Sequence, residues 1–276
     1  MKLQIYQIDA FAEKPFQGNP AAICPLDRWL PDEILQAIAE ENNLAETAFF
    51  IARDGAYDLR WFTPTTEVDL CGHATLAAAH VVFDSQKENR NEIIFHTRSG
   101  RLRVSRNGDL LQLDFPTQEI TPCYPPSPLV RGLGVTPVHC YKAMDYMAVF
   151  DDEKAIASIS PDLTILSELD LRGVIITAPG ASSDFVSRFF APNFGINEDP
   201  VTGSAHCALT PYWADRLGKV DMKAIQLSKR TGYLRCSLAN DRVLISGKAI
   251  SFLKGEIEFE CEQVGAGQPD NHPVKL

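Results

Sequence analysis

Two nucleotide-binding signatures are missing from this chain of 276 residues. It has no Gly-x-Gly-x-x-Gly turn and no Gly-x4-Gly-Lys loop, so neither a dinucleotide fingerprint nor a phosphate loop is written into it. Positive charge is scarce: 26 Lys and Arg stand against 36 Asp and Glu, a formal net charge of −10. Nucleic acid and anionic membrane surfaces are bound by basic patches, so both are excluded as partners. A small anionic substrate is not excluded, because helix N-termini supply positive potential locally. No apolar run approaches the ~20 residues of a membrane-spanning helix. The opening segment Met1–Phe11 has Gln4 and Gln7 inside its apolar pattern and reads as a strand, not a secretory signal. The seven cysteines are odd in number and scattered without paired spacing, which suits a reducing cytosol better than a disulfide framework.

What is present centres on Val68-Asp69-Leu70-Cys71-Gly72-His73-Ala74-Thr75-Leu76-Ala77-Ala78-Ala79-His80. A turn-rich approach leads to a glycine, and strong helix formers follow at once. A helix this apolar on every face is a buried central one. Its first turn leaves N–H groups free at Gly72 and His73, a ready place for a carboxylate or phosphate.

The chain then repeats itself. Ser187-Arg188-Phe189-Phe190-Ala191-Pro192 echoes Leu59-Arg60-Trp61-Phe62-Thr63-Pro64, and Glu198 through Leu209 echoes Glu67 through Ala78. Arg98-Ser99-Gly100 and Arg230-Thr231-Gly232 match beyond the helices, and Pro31-Asp32 and Pro161-Asp162 open candidate helices ahead of them. The matches keep one order about 130 residues apart, which indicates an internal duplication. The expected fold is α+β: two pseudo-symmetric halves, 1–118 and 129–265, each with one buried helix. The proline-rich stretch 119–128 reads as a linker and 266–276 as a loosely held tail. Within the first half a helix is expected over 31–43, a hairpin turn at Asp54-Gly55, and three strands over 92–115. The second half is expected to hold a strand near 140–150 and a helix from Pro161.

Four ordered motifs carry a family resemblance: Phe16-Gln17-Gly18-Asn19-Pro20-Ala21, Asn43-Leu44-Ala45-Glu46-Thr47-Ala48-Phe49, Cys71-Gly72-His73-Ala74-Thr75 and Glu198-Asp199-Pro200-Val201-Thr202-Gly203-Ser204-Ala205-His206. Together they resemble the PhzF-like isomerases of phenazine biosynthesis, over residues 1 to about 260. The resemblance implies the diaminopimelate epimerase-like fold, with β-barrel-like sheets wrapped round two central helices and the site between the halves. It also implies an isomerase that needs no cofactor, a proton shift on a small carboxylate-bearing substrate, and a homodimer.

The resemblance makes Glu46 the catalytic acid/base, places His73 on the substrate and has Asp199 orient it. Gly72, Gly203 and Ser204 become donors to the substrate, with Asn19 as a side-chain contact. The residues have plainer readings too. Glu46 is also an ordinary exposed acid at a strand start, His73 a satisfied buried histidine, and Asp199 a helix cap. Asymmetry favours function at Glu46, because its counterpart in the duplicated chain is Gly173. A carboxyl group held among Leu44, Ala48 and Phe49 is suited to remove and return a carbon-bound proton.

Two rival chemistries weaken on inspection. A two-thiol racemase needs a partner for Cys71, and that place falls on Pro200 or Thr202. A zinc site from Cys71, His73, His206 and Cys207 has none of the usual ligand spacings, so no metal is expected. A catalytically degenerate binding or interaction protein on the same scaffold is the non-enzyme alternative.

Overall fold

The computed structural model describes residues 1–85 and 90–260. In the first half, β1 (Lys2–Ala10) and β2 (Asn19–Leu26) lead through α1 (Asp32–Asn42) to β3 (Glu46–Arg53) and β4 (Ala56–Phe62). A two-residue β5 (Glu67–Val68) precedes α2 (Gly72–Ser85), followed by β6 (Glu92–Thr97), β7 (Gly100–Asn107) and β8 (Leu110–Pro116). The second half begins with β9 (Thr121–Pro122), α3 (Ser127–Leu133), β10 (His139–Lys142), β11 (Tyr146–Val149), α4 (Glu153–Ser158) and α5 (Leu163–Leu166). It continues with β12 (Val174–Pro179), β13 (Phe185–Phe190), α6 (Gly203–Leu217), β14 (Asp221–Gln226), β15 (Gly232–Ala239), β16 (Arg242–Gly247) and β17 (Ala249–Glu258).

Local chemistry explains the boundaries. α1 ends where Asn43 enters the left-handed region at φ 47°, which turns the chain into β3. Asp54 and Gly55 both have positive φ, 44° and 79°, the pattern of a hairpin turn that matches strand twist. α4 and α5 are short and are capped by Asp152 and Asp162, whose carboxylates accept from Ala155 N–H and Ile165 N–H. The helix expected from Pro161 is thus a single turn, and the strand expected near 140–150 is broken in two. The break is a turn in which Ala143 N–H donates to the carbonyl of Asp145.

Strand pairing gives one continuous path: β17, β1, β2, β3, β4, β6, β7, β8, then β16, β15, β14, β13, β12, β11, β10, β9. Read outward from the central β8–β16 pair, the two sides mirror each other. The parallel pairs β2–β3 and β4–β6 on one side answer β11–β12 and β13–β14 on the other. The duplication in the sequence is therefore a duplication of topology: two β-barrel-like sheets, each wrapped round a buried helix.

Division by chain position does not follow the pairing at the ends. β17 crosses back onto β1 and packs against α2, while β9, from the stretch expected to be a linker, pairs with β10. The two outermost strands follow the central pair in the chain: β17 comes after β16 and joins β1, and β9 comes after β8 and joins β10. The connection is tied down further at α6. Pro211 lies inside that helix and has no N–H to give the Cys207 carbonyl; the Gln118 N–H takes that place at 3.0 Å.

Both central helices are buried as their composition requires. In α2, Ala74, Leu76, Ala77, Ala78 and Ala79 have no solvent exposure. In α6, Trp213 stacks on Phe185 at 5.8 Å and donates its indole N–H to the Thr177 hydroxyl. Residues 261–276, which include the expected tail, lie outside the described residues.

The β9–β10 junction supports a direct test. Cys123 N–H donates to the Cys140 carbonyl, and the two sulfurs are 3.6 Å apart. Oxidised dithiothreitol should therefore link Cys123 to Cys140, as read by non-reducing peptide mapping. Finding both cysteines still free would mean that this strand is not where we place it.

Candidate active site

Five segments from both halves meet at the facing ends of the central helices. Asn19 opens β2 just after Gly18, whose φ of 66° suits glycine and whose Cβ, if present, would stand 2.1 Å from the Ala10 carbonyl oxygen. The loop is held from the other half by Arg230, which donates to the carbonyls of Gly18 and Gln17 and to the buried carboxylate of Asp9. Glu46 is the first residue of β3, paired in register with Ala21. His73 is the second residue of α2, with Cys71 just before the helix. Asp199 lies between β13 and α6, fixed by its N–H to the Phe189 carbonyl. Asn19, Glu46, His73 and Asp199 are all buried.

Their side chains form one polar cluster. His73 Nε2 lies 3.0 Å from Glu46 Oε2, yet neither atom has an aligned hydrogen bond, so the contact is a charge pairing. The Asn19 amide donates to Asp199 Oδ1 at 2.8 Å and to the Val201 carbonyl at 3.0 Å, which fixes its orientation. His73 Nδ1 lies 3.2 Å from that amide nitrogen and 3.5 Å from Cys71 Sγ. The amide's two hydrogens go to Asp199 and Val201, so the Cys71 thiol is the donor to Nδ1, and the proton of neutral His73 sits on Nε2, facing Glu46. Thr202 Oγ1 donates to Asp199 Oδ2 at 2.5 Å. Gln226, fully buried, accepts from Thr202 N–H and donates to the Asp199 carbonyl, which holds this loop in place.

Burial alone would lower the His73 pKa, but the charges of Cys71 and Glu46 outweigh it and hold it well above the usual histidine value. Burial pushes the Cys71 thiol up to about 11, so near neutral pH the carboxylate of Glu46 carries that effect. Burial raises Asp199 to about 6, against opposing pulls from His73, Thr202 and Asn19.

The helix ends meet here. A Cβ built on Gly72 would lie 3.8 Å from the Gly203 Cα, and the reverse distance is the same. Thr202 is the N-cap of α6 but spends its hydroxyl on Asp199, which leaves the first turn without a side-chain cap. Ser204 does not join Glu46 and His73. Its hydroxyl accepts from Arg172, which also grips Asp145 in a bidentate pair. Register makes the expected asymmetry concrete: Thr47 lies opposite Phe62 and Val174 opposite Phe190, so Glu46 and Gly173 are equivalent. No side chain fits at Gly173, where a Cβ would stand 2.7 Å from both the Phe190 carbonyl oxygen and the Phe189 ring.

Sequence reasoning missed Arg172, Gln226 and Arg230, and reached Asp145 only as part of the loop Tyr141–Tyr146, expected to line specificity. The one available signal was a lone arginine beside Gly173, the glycine aligned with Glu46.

Metal capacity is limited. His206 and Cys207 stay with α6, His206 Nδ1 bonding the Thr202 carbonyl, and burial lowers the His206 pKa to about 4. Among the described residues the set that does converge is Glu46, Cys71 and His73, with one donor atom each and all within 4.8 Å. That trio would have to deprotonate Cys71 to hold a cation. Chelator treatment should accordingly leave fold and activity intact; stoichiometric metal lost together with activity would reverse this reading.

A duplicated α+β fold with a single carboxylate–histidine pair at two facing helix ends defines the class: an isomerase of the diaminopimelate epimerase-like fold. The family model described as phenazine biosynthesis-like protein matches residues 8–255, and the chain belongs to that family, the PhzF-like isomerases. An uncharacterized isomerase of Pseudomonas aeruginosa is 55% identical over 94% of this chain and 100% of its own. A PhzF family crystal structure from Enterococcus faecalis superposes with a TM-score of 0.90 at 46% identity, covering 94% of this chain and 100% of that one. A hydroxyproline epimerase from Agrobacterium vitis, with a TM-score of 0.59 at 10% identity over 93% of this chain and 92% of its own, shares the fold alone.

The pKa shifts imply a pH signature of stability. His73 is raised, so its pairing contributes fully below the ordinary value of 6.5 and is lost as pH rises through its folded value. Asp199 is raised from 3.8 to about 6, so the fold favours its protonated form and its contribution falls as pH rises across that window. Denaturant titrations should show wild type losing stability relative to Asp199→Asn between those values, on the order of 2–3 kcal/mol, and levelling off above. Parallel curves for the two proteins would contradict the assignment.

Proposed function

We propose that this isomerase shifts a proton between carbons of a small carboxylate-bearing substrate without a cofactor, in the cleft between its halves. The observation that carries the reading is the Glu46–His73 pair, 3.0 Å apart and buried where the two helix ends meet, with no counterpart at Gly173. Glu46 removes the proton from one carbon and returns it to another. His73, held with Nε2 toward Glu46, steadies the carboxylate and exchanges the proton with it.

Asn19 and Asp199 orient the substrate. The first-turn N–H groups at Gly72, His73, Gly203 and Ser204 receive its carboxylate, and each such donor is worth roughly 3 kcal/mol where charge develops. Equivalence of Gly72 with Gly203 places Cys71 opposite Thr202, which cannot supply a thiolate. That favours a one-carboxylate mechanism over a two-thiol racemase. The reading includes a homodimer acting in a reducing cytosol, which sedimentation and fractionation would check.

Glu46→Gln keeps shape and reach but removes basicity. Turnover should fall by at least ~10²–10⁴ with the fold intact, while Cys71→Ser costs far less. In deuterated water the wild type should place deuterium at the receiving carbon to the extent that the abstracted proton exchanges with solvent. Abolished turnover in Cys71→Ser with turnover kept in Glu46→Gln would overturn the mechanism.

A further inference from the structure

Where the first half keeps its acid/base pair, the second half carries other charged side chains. The register that equates Glu46 with Gly173 equates Ala45 with Arg172. The parallel strand pairs set Ala22 beside Thr47 and Tyr146 beside Val174, which puts Asp145 in the place of Ala21. His73 answers Ser204 at the helix ends. Two alanines and a histidine are thus exchanged for Asp145, Arg172 and Ser204, and Arg172 donates to both of the others.

The guanidinium is fixed on several sides. Nε and Nη2 donate to Asp145 at 2.9 and 2.5 Å, Nη2 reaches the Ser204 hydroxyl at 3.0 Å, and the Phe189 ring lies 5.3 Å from Cζ. Nη1 has no partner among the described residues. The Arg172 side chain is 27% exposed, whereas that of Asp145 is 1% exposed. Pairing with Asp145 therefore sets the orientation of the fork and leaves an edge open. Ser204 follows Gly203, which abuts Gly72, and the guanidinium bonded to Ser204 thus belongs to the α6 side of the helix-end contact, as Glu46 and His73 belong to the α2 side. An oriented guanidinium with a free N–H edge is suited to a carboxylate, and orienting it beforehand lowers the entropy lost on binding.

Resting on the carboxylate site proposed above, we infer that Arg172 binds a second carboxylate of the substrate, so that the enzyme selects dicarboxylic over monocarboxylic acids. Asp145 is the positioning residue for that arginine. The Gly173 position, closed to any side chain, holds no counterpart of the Glu46 carboxylate, so Asp145 is the acid paired with Arg172 here.

Calorimetric titration with succinate and with butyrate tests the inference. Wild type should bind succinate at least about tenfold more tightly than butyrate, the increment of one charge-assisted hydrogen bond. Arg172→Met alone would leave Asp145 buried and unpaired, so the variant to use is Arg172→Met with Asp145→Asn, its fold checked by circular dichroism. It should bind both acids alike, at the wild-type butyrate affinity. Equal binding of the two acids by wild type, or an undiminished succinate preference in the double variant, would overturn the role of Arg172 alone. Absence of binding by either acid would remove the carboxylate site itself.

Discussion

Everything at the site depends on two helix N-termini being pressed together. Each end carries roughly half a positive charge and a set of unpaired N–H groups, so two of them facing at contact distance repel. The approach at Gly72 and Gly203 is held from outside, by the β8–β16 pairing that joins the two barrels edge to edge. Negative charge answers it from inside, with Glu46 on one flank and Asp199 on the other. Neither acid is placed for its own helix alone. Asn19, reaching from β2 to both Asp199 and the Val201 carbonyl, couples the two flanks.

The placement of the outer strands keeps the halves from separating. If β17 stayed with its own half, the barrels would lose the longest of the strand pairings that tie them together beyond β8–β16. Instead β17 runs along β1 from Lys2 to Ala10, and β9 closes the opposite side. Arg230 and the Gln118–Cys207 hydrogen bond add ties from one half to functional loops of the other. Position at the cleft is thus overdetermined, which a site built from five separate segments requires.

Among the described residues Asn19 Oδ1, Glu46 Oε2 and His73 Nε2 are buried with no hydrogen-bond partner, and Glu46 and His73 meet as charges without aligned geometry. Groups left in that state cost stability and are retained where chemistry uses them. The second half shows the contrast. Asp145, equally buried, has both oxygens satisfied by Arg172.

The sequence by itself determined the duplication, the two apolar helices and the acid/base candidates. Alanine-rich faces allow only a buried helix, and Glu46 stood out because its repeat partner is Gly173. The hairpin at Asp54-Gly55 and the three strands over 92–115 were equally legible, since turn chemistry and alternation are local properties. Long-range register was not. That β17 belongs with β1 and that Ser204 pairs with Arg172 instead of joining His73 both follow from contacts between residues far apart in the chain. The same holds for Gln226 and Arg230, whose roles come from carbonyls and carboxylates on other elements. Local pattern names the residues able to do chemistry; only the closed sheet decides which of them face one another.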